Sequence, residues 1–302
     1  MFIVDLHCDS LSTVSSEQGL INSYNFSKTD PQLQFTAAFV PRKNQPPEQR
    51  RHRLMRFMDI YIAEYTRLGL VNVTGCHDLA FAQAVEKRAT MFTVEGGGGL
   101  FADSEELKTL HRMGMRVMGL AWDGTELSAS AFDEDDYGLT EAGRDMIDRC
   151  SELGIIIDVS HMSDKALADA LKATAYPVIA THSNLREITD SKRNLPIDMA
   201  KRIASRGGII GLNLYPRFLS CADKAGAEDI YRHTDAFINR LGEDCLALGL
   251  DIDGTDGSYP EGINPQRSIH DQLAELLTSR YGDRITEKIM GENAVNFLKS
   301  NL

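Results

Sequence analysis

Short apolar runs, many of them rich in β-branched residues, recur along this chain, and amphipathic stretches with helical periodicity separate them. The runs predict eight strands, at residues 2–7, 35–40, 91–95, 116–122, 155–161, 177–182, 208–214 and 245–251. The amphipathic stretches predict helices at residues 47–68, 104–113, 140–153, 163–173, 196–206 and 227–241, with two more at 271–281 and 285–302. Ser104, Thr140 and Ser163 are predicted to cap the helices that they begin.

Strands that alternate with helices imply a parallel sheet with right-handed crossover connections. The count of eight strands favours closure into a (β/α)₈ barrel of the TIM type over an open, doubly wound sheet. No linker rich in Pro, Gly or Ser divides the chain. We therefore expect residues 1–302 to form a single α/β domain.

Charge and cysteine content narrow the partners and the compartment. The formal net charge is −12 and no basic stripe is present, which argues against a nucleic-acid partner. The five cysteines are scattered without a C-x-x-C pair, as expected for reduced thiols in a cytosolic protein. We find no signal-peptide pattern and no apolar stretch of membrane length. The expectation is a cytoplasmic protein with no membrane partner.

Metal-ligating residue types gather at the ends of the predicted strands. His7 and Asp9 follow the first apolar run two positions apart, so their side chains share one face of the strand and form half of a divalent-metal site. The C-terminal ends of four further strands carry Glu95, His161, His182 and Asp251. In a TIM-type barrel the C-terminal rim is where active sites are built. We interpret these residues as one metal centre.

Six ligands exceed the roughly four that a single zinc ion takes, so they suit two ions about 3.5–4 Å apart that share a carboxylate and a hydroxide. Glu95 lies on a strand between the two ligand groups and is the natural bridge. Asp251 is either a ligand or a proton shuttle beside bound water, and Asp253 is expected to cap the turn with Gly254. Mixed imidazole and carboxylate sites accept zinc, manganese or cobalt.

In order and spacing, these motifs resemble the membrane (renal-type) dipeptidase family, in its bacterial cytosolic form, over nearly the whole chain. The matching stretches are Asp5-Leu6-His7-Cys8-Asp9, Val94-Glu95-Gly96, Asp158-Val159-Ser160-His161, Thr181-His182-Ser183, Lys192-Arg193-Asn194-Leu195 and Gly249-Leu250-Asp251-Ile252-Asp253-Gly254. The resemblance implies a zinc-dependent (β/α)₈ hydrolase of dipeptides, a metallo-dipeptidase with two zinc ions per chain, and it suggests a homodimer.

The resemblance also implies a role for each site residue. His7 and Asp9 would hold one zinc ion, and Glu95 would bridge it to the other. His161 and His182 would hold that second ion. The ions would lower the pKa of a bridging water, so that hydroxide exists near neutral pH.

Two further residues of the matching stretches would act on the substrate. Asp251 would carry protons between the bridging water and the leaving amine. Arg193 would hold the terminal carboxylate of the dipeptide, because a guanidinium offers a planar pair of donors that matches a carboxylate.

One position departs from the family pattern. The fourth strand of the family ends in a Leu-Thr-His-like sequence whose His contacts the substrate, whereas Trp122 stands at that place here. Tryptophan donates one N–H but cannot carry a positive charge. Trp122 is therefore a substrate-binding candidate that leaves two alternatives open, a hydrolase of another amide on the same binuclear site and a metal-binding barrel with little dipeptidase turnover. The acidic loop at residues 133–136 would favour a cationic substrate, or is simply solvated.

Overall fold

The computed structural model describes residues 1–14, 31–43, 45–97 and 104–302. The strands are β1 (Val4–Cys8), β2 (Leu33–Phe39), β3 (Val71–Asn72), β4 (Ala89–Glu95), β5 (Met115–Gly119), β6 (Ile156–Asp158), β7 (Ile179–Ala180), β8 (Ile209–Leu212) and β9 (Leu246–Leu248). The α-helices are α1 (Ser10–Val14), α2 (Pro47–Leu68), α3 (Cys76–Ala84), α4 (Ser104–Met113), α5 (Glu141–Leu153), α6 (Asp164–Ala173), α7 (Ile197–Ser205), α8 (Pro216–Leu219), α9 (Ala227–Leu241), α10 (Ile269–Glu287) and α11 (Asn293–Asn301), and a π-helical turn (Lys288–Glu292) joins the last two.

Eight parallel strands close into a barrel, in the order β2, β1, β9, β8, β7, β6, β5, β4. Closure comes from the pairing of β2 with β4, which runs in register from Leu33 opposite Ala89 to Phe39 opposite Glu95. The remaining strand, β3, pairs only with the first residues of β4. The predicted TIM-type barrel is confirmed, and each predicted strand overlaps one barrel strand.

The prediction differs from the structure mainly in length. Residues 177–182 were expected as a strand, but β7 contains only Ile179–Ala180, because the residues after it leave the hydrogen-bond ladder and build the rim. The pattern missed β3, α1, α3 and α8, since segments of two to nine residues show little periodicity. The predicted break between the last two helices is confirmed at Gly282, which has φ 73° and ψ 173° inside α10.

Local side-chain contacts explain where several helices begin. The Thr140 hydroxyl accepts a hydrogen bond from the backbone N–H of Gly143, and Ser163 accepts one from Ala166. Both are the predicted N-caps, and each satisfies a backbone donor that the first helical turn leaves unpaired. The side chain of Ser104 lies outside the described residues.

The core positions the polar residues at one end of the barrel. A buried cluster joins the starts of the strands, such as Val4, Leu33 and Ile209, to Phe297 and Leu298 of α11, which closes the N-terminal end. A larger cluster fills the layer between strands and surrounding helices. Among the described residues, no helix has an apolar stretch long enough to cross a membrane.

Candidate metal centre

The residues predicted to bind metal meet at the C-terminal rim of the barrel. His7 lies in β1 and Glu95 ends β4, whereas the other four residues follow their strands within three positions. The six residues are at most 8% exposed and form three overlapping groups whose ligand atoms lie within 4.8 Å of one another. They are His7, Asp9, Glu95, His161, His182 and Asp251.

Glu95 lies at the centre of the cluster. Its Oε1 atom is 2.8 Å from His161 Nε2 and 3.5 Å from His182 Nε2. Its Oε2 atom is 3.9 Å from His7 Nε2 on the other side. The two carboxylate oxygens therefore face different histidines, which is the arrangement that a bridging ligand requires.

Two further observations fit a bound divalent cation. The Oδ1 atom of Asp9 is buried and has no hydrogen-bond partner among the described residues, although a buried carboxylate oxygen is costly without a partner or a cation. A Cβ atom at Gly254 would lie 2.1 Å from Asp251 Oδ1 and 2.4 Å from Asp9 Oδ2, so the glycine keeps room beside both carboxylates. Imidazole nitrogens and carboxylate oxygens are the donors that zinc takes in proteins.

The electrostatics of the cluster favour a cation. Burial lowers the pKa of the His7 imidazole, but the carboxylates of Glu95, Asp9 and Asp251 outweigh burial and raise that pKa to about 10. Burial and the Asp9 carboxylate raise the pKa of Glu95 well above its usual value. Burial, again with Asp9, also raises the pKa of Asp251 to about 6. Crowded carboxylates concentrate negative charge that a bound divalent ion would neutralise.

His182 is oriented by a chain of hydrogen bonds that the sequence did not reveal. The Thr181 hydroxyl donates to Asp158 Oδ2 over 2.6 Å and lies 2.8 Å from His182 Nδ1. Because the hydroxyl gives its only hydrogen to the carboxylate, its oxygen accepts from the Nδ1–H of His182. Burial, His7 and Arg193 lower the pKa of His182, which keeps the ring neutral. Its Nε2 lone pair therefore faces the cluster.

Arg193 lies behind the histidines and outside the group of described residues that line the adjacent cavity. It is 3% exposed, and its Nε atom donates to His161 Nδ1 over 3.1 Å. Its Nη1 atom donates to Ser183 Oγ over 2.9 Å, and its Nη2 atom donates to the carbonyl of His182 over 2.7 Å. Three of the five guanidinium N–H groups are thus used within the protein.

Asp251 has a partner that the sequence analysis did not single out. Asn213, which directly follows β8, donates from Nδ2 to Asp251 Oδ2 over 3.0 Å, and its own backbone N–H donates to Asn184. Asp251 Oδ1 lies 3.8 Å from His7 Nε2. The only available signal was an asparagine directly after an apolar run, and many loop residues share that feature.

Backbone strain also concentrates here. Among the described residues, four that are not glycine have positive φ, and three of these belong to the site, namely His161 at 65°, Asp251 at 62° and Asp253 at 66°. Such conformations cost energy, and they persist where packing and hydrogen bonds fix them, often at functional sites.

A cavity of about 410 Å³ opens beside the cluster. Asp9, Glu95, His161 and Asp251 line it, and so does Asp253. Trp122 lines it as well, as expected for a residue of the fourth predicted strand end. The other aromatic residues of the lining, which the sequence analysis did not single out, are Phe39, Phe132, Tyr215 and Phe218.

Comparisons with known proteins agree with this geometry. A family model described as membrane dipeptidase (peptidase family M19) matches residues 1–301. Dipeptidase tcpJ of Claviceps purpurea is 34% identical over 218 residues, which are 70% of this chain and 51% of that protein. Dipeptidase 3 of Rattus norvegicus is 26% identical over 298 residues, which are 92% of this chain and 60% of that protein. The chain thus spans about half to three-fifths of the length of these two relatives.

A solved structure has the same fold. A metallo peptidase from Rhodobacter sphaeroides, determined with a phosphinate mimic of the dipeptide L-Ala-D-Ala, superposes with a TM-score of 0.86 at 23% identity and covers 99% of both chains. With the match of the family model to residues 1–301, the resemblance to the membrane dipeptidase family is confirmed, and the bacterial cytosolic form stays a prediction. The chain belongs to the membrane dipeptidase family.

Proposed function

We propose that this protein is a metallo-dipeptidase that hydrolyses the peptide bond of dipeptides with two zinc ions per chain. The observation that carries the proposal is the position of Glu95, whose two oxygens face His7 on one side and His161 and His182 on the other. Family membership supports the reaction class.

The ligand assignment follows from these contacts. His7 and Asp9 would hold one ion, His161 and His182 the other, and Glu95 both. To bind through Nε2, His161 would have to carry its proton on Nδ1, so the hydrogen bond from Arg193 Nε to that atom would break. Zinc at these positions supplies a Lewis acid that polarises the scissile carbonyl and lowers the pKa of water. The unpaired Oδ1 atom of Asp9 and the space kept by Gly254 support a cation on the His7 side.

Asp251 is the proposed proton carrier. Its Oδ1 atom lies 3.8 Å from His7 Nε2 at the cluster, where a carboxyl group can accept and donate protons. Burial and the Asp9 carboxylate raise the pKa of Asp251 to about 6 when no cation is bound. The hydrogen bond from Asn213 fixes Oδ2, so Oδ1 is the atom that faces the cluster. Asp251 would take a proton from the attacking water and deliver it to the leaving amine.

Arg193 remains the proposed ligand of the substrate carboxylate, although it is not among the described residues that line the cavity. Its contacts with His161, Ser183 and the His182 carbonyl leave one N–H group on each of Nη1 and Nη2. An Arg193→Lys variant would keep the charge but lose the planar pair of donors. We expect it to raise KM for dipeptides more than it lowers kcat.

The deciding experiment measures zinc content and dipeptide hydrolysis on the same protein. Chelation should abolish hydrolysis of a dipeptide panel, and added zinc should restore it at two ions per chain. Glu95→Gln should lower both the zinc content and the activity, because the amide offers only one ligand oxygen. Glu64→Gln is the matched control, since that carboxylate pairs with Arg67 on the same helix, α2.

The same assay separates the alternatives. Zinc binding without hydrolysis of any dipeptide would favour the metal-binding barrel, and hydrolysis confined to other amides would favour the second enzyme class. Full activity after exhaustive chelation would refute the metal mechanism. The homodimer, the cytoplasmic location and the absence of a nucleic-acid partner stay predictions that size-exclusion chromatography, cell fractionation and binding assays can test.

A further inference from the structure

Three aromatic rings form a continuous wall along the cavity. Phe39 and Trp122 meet edge to face with ring centroids 4.9 Å apart, and Trp122 and Phe132 are 5.5 Å apart. The wall ends at the proposed ligand His161, whose ring is 6.0 Å from Trp122 and 5.6 Å from Phe132. We refer to Phe39, Trp122 and Phe132 as the aromatic wall.

The wall carries apolar surface that the described part of the protein leaves uncovered. Phe132 is 50% exposed although it lines the cavity beside the proposed metal ligands. Half of a phenylalanine ring facing water is apolar area that a ligand can bury.

Hydrogen bonds hold the wall rigid. The Ser130 hydroxyl donates to the carbonyl of Trp122, and the backbone N–H of Phe132 donates back to that hydroxyl. The Asp133 carboxylate accepts from the N–H groups of Gly124 and Ser130 over 3.0 and 2.9 Å. A ligand that contacts the wall therefore does not have to order it first.

Backbone hydrogen bonds also engage two carboxylates beside the wall. Asp133 is used by the two backbone N–H groups just named, and Asp123 accepts from the backbone N–H groups of Arg42 and Lys43, each over 2.7 Å. Trp122 and Phe132 also line a second cavity, of about 500 Å³, together with Arg42, Lys43 and the two carboxylates. Two basic and two acidic residues balance there, so this second cavity gives the wall no net charge.

We propose, on the basis of the proposed dipeptidase function, that the aromatic wall binds a bulky apolar side chain of the dipeptide. The enzyme then prefers dipeptides with an aromatic or branched aliphatic residue over those whose side chains are small or charged. Aromatic rings packed edge to face add to the gain from simple area burial. Asp133 of the acidic loop accepts two backbone hydrogen bonds and does not line the cavity beside the proposed metal ligands, so the loop does not draw a cationic side chain to the wall.

A binding test uses the sequence itself as the probe. Trp122 is the single tryptophan of the chain, so tryptophan fluorescence reports on the wall alone. We would titrate the metal-depleted protein with Ala-Phe, Phe-Ala, Ala-Lys, Lys-Ala and Ala-Ala. We expect at least one phenylalanine dipeptide to change the emission at a concentration roughly tenfold lower than Ala-Lys, Lys-Ala and Ala-Ala require.

Variants assign that binding to the wall. Phe132→Ala should remove the advantage of the phenylalanine dipeptides in the fluorescence titration. Trp122→Phe lacks the fluorophore, so it is tested by hydrolysis, and the zinc-loaded variant should still show a higher kcat/KM for the phenylalanine dipeptides. Phe81→Ala is the matched control, because Phe81 is 54% exposed on α3 and does not line the cavity. Thermal melts of all variants check that the fold is intact.

The outcomes separate this proposal from the proposed function. If dipeptides are hydrolysed but lysine or alanine substrates are favoured, or if the phenylalanine advantage survives in Phe132→Ala, the aromatic-wall proposal is overturned and the function stands. If no dipeptide is hydrolysed by the zinc-loaded enzyme, the proposed function fails, whatever the fluorescence titration shows. A tenfold phenylalanine preference that Phe132→Ala abolishes supports both.

Discussion

Replacing Thr181 with valine tests whether the chain of hydrogen bonds through Asp158 prepares His182 for a metal ion. Valine keeps the shape of threonine but has no hydroxyl. The change removes the donor that Asp158 Oδ2 accepts over 2.6 Å and the acceptor that lies 2.8 Å from His182 Nδ1. Asp158 Oδ1 keeps its backbone donors, Ser160 and Thr181, so the carboxylate stays in place.

The expected losses follow from these contacts. Loss of a hydrogen bond between a buried group and a charged partner lowers the free energy of unfolding by about 1.5–3 kcal/mol. The imidazole of His182 also loses the partner that fixes its proton on Nδ1 and leaves Nε2 free. Changes in such outer partners of a metal ligand lower metal affinity roughly 10- to 100-fold, which is about 1.4–2.7 kcal/mol. Thr181→Ser retains the hydroxyl and should restore most of the affinity.

Zinc affinity is measured by competition with a chromophoric chelator, and stability by urea unfolding of the metal-depleted protein. Thr36→Val is the matched control, since the Thr36 hydroxyl is also fully buried in the barrel and pairs with the Thr90 hydroxyl over 2.8 Å. It should lose stability and keep its zinc affinity. If Thr181→Val binds zinc as tightly as the unaltered protein, the hydrogen-bond chain does not orient His182 for metal.

Two further predictions concern other parts of the chain. Gly254→Ala should fold but bind less zinc, because its Cβ atom would lie 2.1 Å from Asp251 Oδ1 and 2.4 Å from Asp9 Oδ2. Elemental analysis measures the zinc content, and a full complement of zinc would contradict the prediction. Burial lowers the pKa of His233 to about 4, below its unfolded value of 6.5. The contribution of His233 to the free energy of unfolding is therefore fully present above pH 6.5, and it falls by about 3 kcal/mol as the pH drops to 4. Urea unfolding across that pH range should show a shallower loss for His233→Asn, and an unchanged loss would exclude His233 as a contributor.

The sequence predicted the barrel because each strand is apolar for most of its length. Strand β4 is buried at every position, and such runs alternate with helices often enough to imply a parallel sheet. The strand ends were harder to predict. Thr181 and His182 directly follow an apolar run in the sequence, yet the hydrogen-bond ladder of the strand stops at Ala180. The two residues after it belong to the rim of the barrel.

The proposed ligands were accessible to sequence reasoning for a simple reason. Parallel strands bring their C-terminal ends to one rim, so metal-binding residue types at strand ends are brought together by topology alone. The residues that support them were not accessible. Asp158 contacts Thr181 from the neighbouring strand, and Asn213 contacts Asp251 from the end of the strand next to it. Both contacts depend on exact strand positions, which periodicity does not encode.

The aromatic wall shows the same limit from the substrate side. Phe39 ends β2 and looks like a core residue in the sequence, whereas Phe132 belongs to a loop. Phe39 reaches Trp122 from β2, whereas only the folded loop, tied by Ser130 and Asp133, brings the ring of Phe132 there. Position in the pattern therefore predicted which residues meet in the cluster better than it predicted the lining of the cavity.

Two buried carboxylates explain how the barrel holds so many like charges together. Asp5 Oδ1 accepts from the backbone N–H groups of His7 and Leu250, over 3.3 and 3.0 Å, and its Oδ2 atom lies 2.9 Å from His270 Nε2. Asp158 links Ser160 and Thr181 in the same way below the other half of the cluster. Each carboxylate ties two neighbouring strand ends through their backbones, so the positions of the proposed ligands do not depend only on contacts between the ligands themselves. The mutual repulsion of Asp9, Glu95 and Asp251 is then left for a cation to relieve, and the energy of that relief strengthens metal binding.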